Sequence, residues 1–268
     1  MLTSFSTLLL FGCLTGITTV LFGFGGGFIT VPVVYGVLSV TARPGADAMH
    51  IAVATSAAVM VVNAGVATLA QWRQGRLRRA YVWPLAAFIA LGAAAGSFAA
   101  TLVGGTALRL LFAAYLLVTI IDSLVRKGFL SVAHRMRPKP LGRGTTTLGG
   151  TGIGLVAAGL GVGGSVMTVP LLRRRGLAMA EATAMANPLS VPVGVAGTLV
   201  YTLVPTASAG TGQIGYVDLG AGAVLLLGSL PTIAVARRVT GRVPDRVHSA
   251  AYVGLLVVVL IVMVGTGV

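Results

Sequence analysis

Acidic side chains and cysteine are scarce in this sequence: its 268 residues include five Asp and Glu residues and a single cysteine, Cys13. One cysteine excludes an internal disulfide, a CxxC redox or metal motif, and a membrane carrier that works by thiol–disulfide exchange, each of which needs two cysteines. The chain supplies no nucleophile with its base, no carboxylate pair and no set of metal ligands at helical spacing. We therefore expect a protein that is not an enzyme and that holds no metal and no cofactor.

Charged residues of both signs are also rare, at 9%, while 56% of the residues are hydrophobic and the mean hydropathy is +0.97. Soluble domains contain about 25% charged residues. Runs without charge reach the roughly 20 residues that a helix needs to cross a bilayer, and they lack the alternation of a membrane β-barrel. The sequence predicts an all-α, polytopic transmembrane helical bundle, in which hydropathy alone would report eight to ten segments. The charge-free runs are 2–42, 48–72, 80–108, 144–172, 182–217 and 247–268, with a slightly shorter one at 219–236.

Basic residues give the chain a formal net charge of +14. They form short clusters between the apolar runs rather than one folded face, so nucleic acid is not an expected partner. Such clusters are typical of cytoplasmic loops. No basic segment precedes the first apolar run, so we expect a retained membrane segment there rather than a signal peptide. We predict a multi-pass protein of the bacterial cytoplasmic membrane, surrounded by the lipid bilayer. The clusters lie at 73–79, 126–143, 173–175 and 237–246.

An internal repeat divides the chain. The segment 23–32, GFGGGFITVP, returns 138 residues later as 161–170, GVGGSVMTVP, with six of ten positions identical. Further matches keep their order along both halves. The predicted halves are therefore 1–125 and 144–268, and the basic segment 126–143 is predicted to be a cytoplasmic linker between them. The ordered matches are Gly92 with Gly228, Arg109 with Arg246 and Tyr115 with Tyr252.

Loop charges predict that the two halves have opposite orientations. The basic loop 71–79 corresponds to the Arg-free segment 204–217, so equivalent loops lie on opposite sides, as in inverted repeats. Each half opens with a glycine-interrupted run, 5–40 or 146–172, which we interpret as a broken helical hairpin with its tip inside the membrane. Between Ser165 and Arg173 only seven residues intervene, about 10 Å of helix, which is too short to cross. Three full crossings then complete each half.

The two glycine clusters are the first candidate binding site. Glycine permits close approach of a ligand, and the helix that follows begins with unpaired N–H groups and a partial positive charge, an arrangement that binds anions. In paired repeats such helix ends meet near the middle of the membrane. The alternative is that these glycines only permit tight helix packing. The candidate substrate-binding residues here are Gly25, Gly26, Gly27, Phe28 and Thr30 in the first half, and Gly163, Gly164, Ser165 and Thr168 in the second.

Polar residues at the start of the next helix in each half are the second candidate set. They are Thr55 and Ser56 in the first half and Asn187 and Ser190 in the second, and ordinary interhelical hydrogen bonding is their alternative role. Asn63 is a further candidate of the same kind. His50 lies one turn before Thr55 and is a candidate for proton coupling, because histidine exchanges protons near neutral pH.

The remaining ionisable residues are expected at helix ends, solvated or ion-paired. His134 and His248 are expected on the cytoplasmic surface, and no arginine is expected in the buried core. A site without a buried arginine predicts modest affinity for an anion and easy release. The acidic residues concerned are Asp47, Asp122, Glu181, Asp218 and Asp245.

At these motifs the chain resembles the sulfite exporter TauE/SafE family, also called the toluene-sulfonate uptake permease family. The resemblance covers nearly the whole chain. It rests on Gly-x-Gly-Gly leading to Val-Pro in both halves, the AVATS segment 52–56, the Gly75 loop and the glycine-rich helix 91–97. The chain departs from the family at Ser165, which replaces a third glycine, and at 185–188.

The resemblance implies a secondary carrier, often an exporter, of small sulfur-containing anions such as sulfite, thiosulfate or organosulfonates. A passive anion channel and a carrier of another small organic anion are the alternatives. Self-association into a homo-oligomer is left open.

Overall fold

The computed structural model describes residues 2–40, 47–125, 140–205, 212–238 and 244–265. Most of the predicted linker 126–143, including His134, lies outside these ranges. The described residues are almost entirely helical, so the predicted all-α class is confirmed. Seven of their helices are long and apolar enough to cross a membrane, rather than the eight to ten segments expected from hydropathy alone.

The predicted first half contains six helices. They are α1 (Leu2–Phe22), α2 (Gly27–Val40), α3 (Ala48–Arg73), α4 (Arg79–Val82), α5 (Leu85–Thr101) and α6 (Gly105–Val125).

The predicted second half begins with a π-helical turn and contains a small antiparallel hairpin between its helices. In chain order the elements are the π turn (Thr145–Gly149), α7 (Gly150–Gly159), α8 (Ser165–Arg174), α9 (Met179–Leu203), β1 (Gln213–Ile214), β2 (Val217–Asp218), α10 (Leu219–Ala236) and α11 (Asp245–Gly265).

Both glycine clusters break a helix, as predicted. Gly25 and Gly26 have φ angles of +60° and +90°, and Gly161 has a φ of +67°. Side chains other than glycine rarely adopt such angles. The following helices have 14 residues in α2 and 10 in α8, about 21 and 15 Å, which is too short to cross a core of about 30 Å. In contrast, α1 is long enough to cross, so the two arms of the first hairpin are unequal.

Close packing of small residues joins the halves. α1 packs against α10, and α5 packs against α7. A Cβ atom on Gly12 would lie 2.5 Å from the carbonyl oxygen of Leu225, and one on Gly16 would lie 2.5 Å from that of Ser229. The residue numbers of the contacting pairs rise together along the two helices, so α1 and α10 run parallel. Only glycine lets these backbones approach so closely.

Helices α3 and α9 form the centre of the bundle, because they are the most buried of the seven long apolar helices. They run antiparallel. Tyr201, near the end of α9, accepts a hydrogen bond from Tyr216 N, and the ring of Tyr216 lies 5.3 Å from that of His50, near the start of α3. At the opposite end, Glu181 of α9 pairs with Arg78, just after α3, at 2.8 Å. We call these the external and cytoplasmic ends, after their predicted sides.

The pattern of helix contacts stays the same when the helices of one half are exchanged for their equivalents in the other half. The pair α1 with α10 corresponds to α7 with α5, while α3 packs against its equivalent α9 and α6 against its equivalent α11. Antiparallel equivalents are what inverted repeats require. The inversion across a bilayer itself stays a prediction.

Candidate functional site

The two glycine breaks meet in the middle of the bundle. We call residues 23–26 the first tip and residues 160–164 the second tip. A Cβ atom on Gly27, just after the first tip, would lie 2.7 Å from the carbonyl oxygen of Gly161, and one on Gly163 would lie 2.5 Å from that of Phe24. The backbones of the two tips are therefore in direct contact, and a side chain at either position would push them apart.

Each tip extends past the other. A Cβ atom on Gly23 would lie 2.6 Å from the Thr183 carbonyl oxygen, which lies near the cytoplasmic end of α9. Gly161 of the second tip packs in the same way against Val53, near the external end of α3. The hairpins thus enter from opposite ends of the molecule and overlap at its centre, between α3 and α9.

All thirteen predicted substrate-binding residues are buried at or beside the tips. Their side chains are uncharged, and those of Phe28, Ser56, Ser165 and Asn187 are 0% exposed. Among the residues that the structure describes, no group of His, Cys, Asp or Glu side chains could hold a metal ion. The site is therefore an enclosed, neutral, polar region.

Ser56 connects the two tips directly. Its Oγ lies 2.9 Å from the Gly27 carbonyl oxygen and 2.7 Å from that of Gly161, so it can donate its proton to either. In the second half, Ser190 Oγ donates to Ala186 O at 3.0 Å. A Cβ atom on Gly163 would lie 3.0 Å from Ser190 Oγ. Ser56 therefore lies beside both tips, and Ser190 lies beside the second tip. Their role in substrate binding stays a prediction.

Two predicted threonines have structural partners instead. Thr30 Oγ1 donates to Gly26 O of the first tip, one turn earlier, at 2.9 Å. Thr55 Oγ1 accepts the N–H of Asp218 at 3.0 Å and so anchors the external hairpin of β1 and β2. Their role in substrate binding stays a prediction.

Several buried polar atoms beside the tips have no hydrogen-bond partner. Leaving such an atom unpaired costs about 1–3 kcal/mol, so each one calls for a ligand or a water as its explanation. Three of them belong to predicted residues: Ser165 Oγ, Thr168 Oγ1 and Asn187 Oδ1. The other two are Asn63 Nδ2 and Thr15 Oγ1.

A cluster of amides and hydroxyls surrounds the first tip, and we call Thr15, Thr19, Asn63 and Asn187 the amide cluster. A Cβ atom on Gly26 would lie 2.8 Å from Asn63 Nδ2 and 3.5 Å from Thr19 Oγ1. Asn187 Nδ2 donates to Thr19 O at 3.2 Å, and Asn63 Oδ1 accepts from the Ser229 hydroxyl at 2.8 Å. Sequence reasoning missed Thr15 and Thr19, although both lie within about two turns of the first tip on α1.

At the second tip, some of the backbone N–H groups that were predicted to bind a ligand already have backbone acceptors. The N–H groups of Val166 and Met167 donate to Gly163 O and Gly164 O at 3.4 and 3.2 Å. These bonds are at the long end of the normal range. Binding of a ligand by the backbone of the second tip stays a prediction.

His50 lies at the external end rather than at the tips, and it is 4% exposed. Its Nε2 lies 2.9 Å from Val103 O and 3.2 Å from Ala100 O, so this nitrogen carries the proton. Its role in proton coupling stays a prediction. Nearby, burial and then the Asp47 carboxylate raise the pKa of Tyr216 above its ordinary value.

The cytoplasmic end contains a buried arginine, contrary to expectation. The Arg173 side chain is 0% exposed, and its Nη1 donates to both carboxylate oxygens of Asp245 at 2.9 Å. Its Nη2 donates to Ser249 Oγ at 3.1 Å. His248 is 2% exposed, so its predicted surface position was wrong too. The short helix α8 ends between α9 and α11, so Arg173 is enclosed, whereas the last residue of the helix, Arg174, is exposed.

Two of the other acidic residues at helix ends are ion-paired, as expected, while Asp218 caps α10 by accepting the Ala221 N–H at 2.9 Å. Glu181 pairs with Arg78, and Asp122 pairs with Arg174.

A small crevice at the cytoplasmic end leads towards the first tip. Arg76 and Arg237 are exposed at one side of it, and Val20 and Thr183 are buried at the other. Thr183 is the residue whose carbonyl oxygen packs against Gly23. A separate apolar groove of about 390 Å³ lies between α1, α2 and α11.

Comparisons with known proteins agree with this architecture. A protein of Haemophilus influenzae described as a probable membrane transporter protein is 26% identical over 263 residues, covering 95% of this chain and 96% of its own length. No solved structure matches the chain. The family described as sulfite exporter TauE/SafE matches residues 8–263. With two interlocked glycine tips inside a bundle of apolar helices and a family match over almost its whole length, the chain belongs to the TauE/SafE family of membrane transporters.

Proposed function

We propose that this protein is a secondary carrier that exports small sulfur-containing anions, such as sulfite, thiosulfate or organosulfonates, across the cytoplasmic membrane of a bacterium. We also propose that it has no enzymatic activity. One observation supports this most: the two tips touch among buried polar atoms that lack partners. A small oxyanion between the tips would use those atoms as its hydrogen-bond partners.

The donors beside the tips suit an oxyanion that must be released again. Hydroxyl and amide groups replace part of the hydration shell of an anion without the strong attraction of a fixed positive charge. Asn63 Nδ2 and the hydroxyls of Thr15, Ser165 and Thr168 have protons to donate. Weak binding by uncharged groups lets the anion dissociate again, as repeated transport cycles require.

The enclosure of the tips favours a carrier over a passive channel. All predicted binding residues are buried, so an anion can leave only after the packing around the tips changes. Inverted repeats provide such a change when one half rocks against the other. A channel would instead need an open path beside the tips. Saturable flux with counter-ion coupling would support the carrier, and linear, uncoupled flux would support the channel.

The crevice at the cytoplasmic end supports export. Its exposed arginines, Arg76 and Arg237, raise the local concentration of anions by electrostatic attraction. Its buried side reaches Thr183, which touches the first tip. Anions gathered from the cytoplasm would thus arrive next to the amide cluster.

Two neighbouring glycines provide a matched test in proteoliposomes. A Cβ atom on Gly163 would lie 2.5 Å from Phe24 O, whereas one on Gly164 meets only ordinary contacts at 3.5 Å or more. We expect Gly163→Ala to lower sulfite flux by roughly tenfold or more, because it separates the tips. Gly164→Ala should retain nearly normal flux.

Equal flux from both folded variants would contradict the placement of the substrate between the tips. A wild-type protein that moves no sulfur-containing anion would contradict the function itself.

A further inference from the structure

The region around the tips contains dipoles but no net charge. Its polar side chains are hydroxyls and amides, from Ser56, Asn63, Ser165, Thr168 and Asn187 together with Thr15. The buried arginine, Arg173, lies eight residues beyond Ser165, about 12 Å along α8. Its charge is already balanced by Asp245 at 2.9 Å. A bound anion would therefore meet no unbalanced cation among the described residues that enclose the tips.

Charge magnitude then decides which anions can enter. Removing a singly charged ion from water costs several kcal/mol even after the protein relaxes, and this cost grows with the square of the charge. Hydrogen bonds to a charged group each return about 1.5–3 kcal/mol. A few neutral donors can therefore offset the cost for a monoanion. The same donors cannot offset a cost that is roughly four times larger for a dianion of equal size.

One unpartnered atom also favours a ligand that carries a proton. Asn187 Nδ2 donates to Thr19 O at 3.2 Å, which orients the amide and leaves Oδ1 as a buried acceptor without a partner. A fully deprotonated oxyanion facing Oδ1 would only repel it. An oxyanion that keeps a hydroxyl proton can donate to Oδ1 while it accepts from Asn63 Nδ2.

We propose that the carrier moves its cargo as a singly charged anion, and that sulfite crosses as hydrogensulfite, bound between Asn63 and Asn187 with its proton directed to Asn187 Oδ1. This inference rests on the proposed transport function and narrows its substrate class to monoanions, so thiosulfate, a dianion at neutral pH, should move as poorly as sulfate. The proton enters and leaves with the cargo, and hydrogensulfite then equilibrates with sulfite and a free proton in the surrounding water. Proton movement therefore needs no relay through the protein.

The wild-type protein in proteoliposomes provides the main test. Initial rates of sulfite uptake are measured at constant total sulfite from the acidic to the alkaline side of neutrality, where hydrogensulfite gives way to the dianion. Methanesulfonate, a monoanion throughout, and sulfate, a dianion throughout, are measured beside it. We expect the ratio of sulfite flux to methanesulfonate flux to fall in parallel with the hydrogensulfite fraction. Sulfate flux should be below about a tenth of the sulfite flux on the acidic side.

The methanesulfonate reference separates titration of the cargo from titration of the protein. Titratable groups at the two ends, His50, Asp47 and Tyr216 outside and His248 and Asp245 inside, would change both fluxes together and cancel in the ratio. A ratio that stays constant or rises with pH would overturn the proposal, as would sulfate moving as fast as sulfite. Absence of flux for every sulfur-containing anion would instead overturn the transport function.

Two variants test the role of Asn187. Asn187→Leu removes the acceptor, so hydrogensulfite flux at acidic pH should fall by about tenfold, while methanesulfonate, which has no proton to donate, should lose less than about threefold. Asn63→Leu removes a donor and should reduce both fluxes alike. Proteins are compared only if they elute as folded, monodisperse species in detergent. Equal losses for both anions in Asn187→Leu would overturn this role of Asn187.

Discussion

The short helices α2 and α8 follow equivalent tips but are held very differently at their far ends. Tyr35 of α2 and Arg173 of α8 occupy equivalent positions, 138 residues apart. Tyr35 accepts one long hydrogen bond from Arg109, at 3.5 Å. Arg173 instead makes a buried ion pair with Asp245 at 2.9 Å.

The surroundings differ in the same direction. α2 borders the apolar groove between α1 and α11, which is lined by Ile29, Pro32 and Val33 on its side. α8 packs against α9, as α2 packs against α3, but α8 in addition ends in the ion pair. The comparison predicts that α2 moves more easily than α8, because α8 moves only when the pair of Arg173 and Asp245 separates. We therefore expect α2, at the external end, to move before α8 does.

The largest predicted effect comes from breaking the ion pair. Asp245→Ala leaves Arg173 buried without its partner, which should destabilise the protein by about 3–5 kcal/mol. Thermal unfolding in detergent, followed by circular dichroism, measures the loss. Replacing both residues, as Arg173→Met with Asp245→Leu, should recover most of it. An unchanged unfolding temperature in the single variant would show that the pair does not hold α8.

An exchange at the tips should have an intermediate effect. Gly27 and Ser165 are equivalent, yet a Cβ atom on Gly27 would lie 2.7 Å from Gly161 O. Gly27→Ser should cost about 1–3 kcal/mol through overpacking and should lower sulfite flux. Ser165→Gly creates no clash, so its cost should stay near 0.5–1 kcal/mol, while flux falls because an unpartnered hydroxyl is lost. If both variants keep full flux, the tips are only packing elements.

The smallest predicted effect is at the end of α2. Tyr35→Phe removes a hydrogen bond that is already long, so the free energy of unfolding should change by less than about 0.5 kcal/mol. Sulfite flux should remain within about twofold of the wild type. A loss as large as that of Asp245→Ala would show that both ends are held equally and would contradict the comparison.

Much of the architecture could be predicted from the sequence because it depends on local patterns. Charge-free runs gave the long helices, and the repeated glycine motif gave both breaks. The polar set around the tips was found only in part, because Thr15 and Thr19 have no distinctive local pattern on α1. Their relevance comes from α1 passing beside Gly26 and Asn187, which are distant in the chain.

Arg173 and His248 show why the remaining features were missed. Arg173 is followed by Arg174 and Arg175, and such a run of arginines is typical of a solvated helix end. Its partner Asp245 lies 72 residues away in the chain. The sequence by itself determined where helices form and break, since apolar length and glycine act through local backbone physics. Only the tertiary structure decided which polar groups became buried and which kept partners, because burial and pairing depend on contacts between segments far apart in the chain.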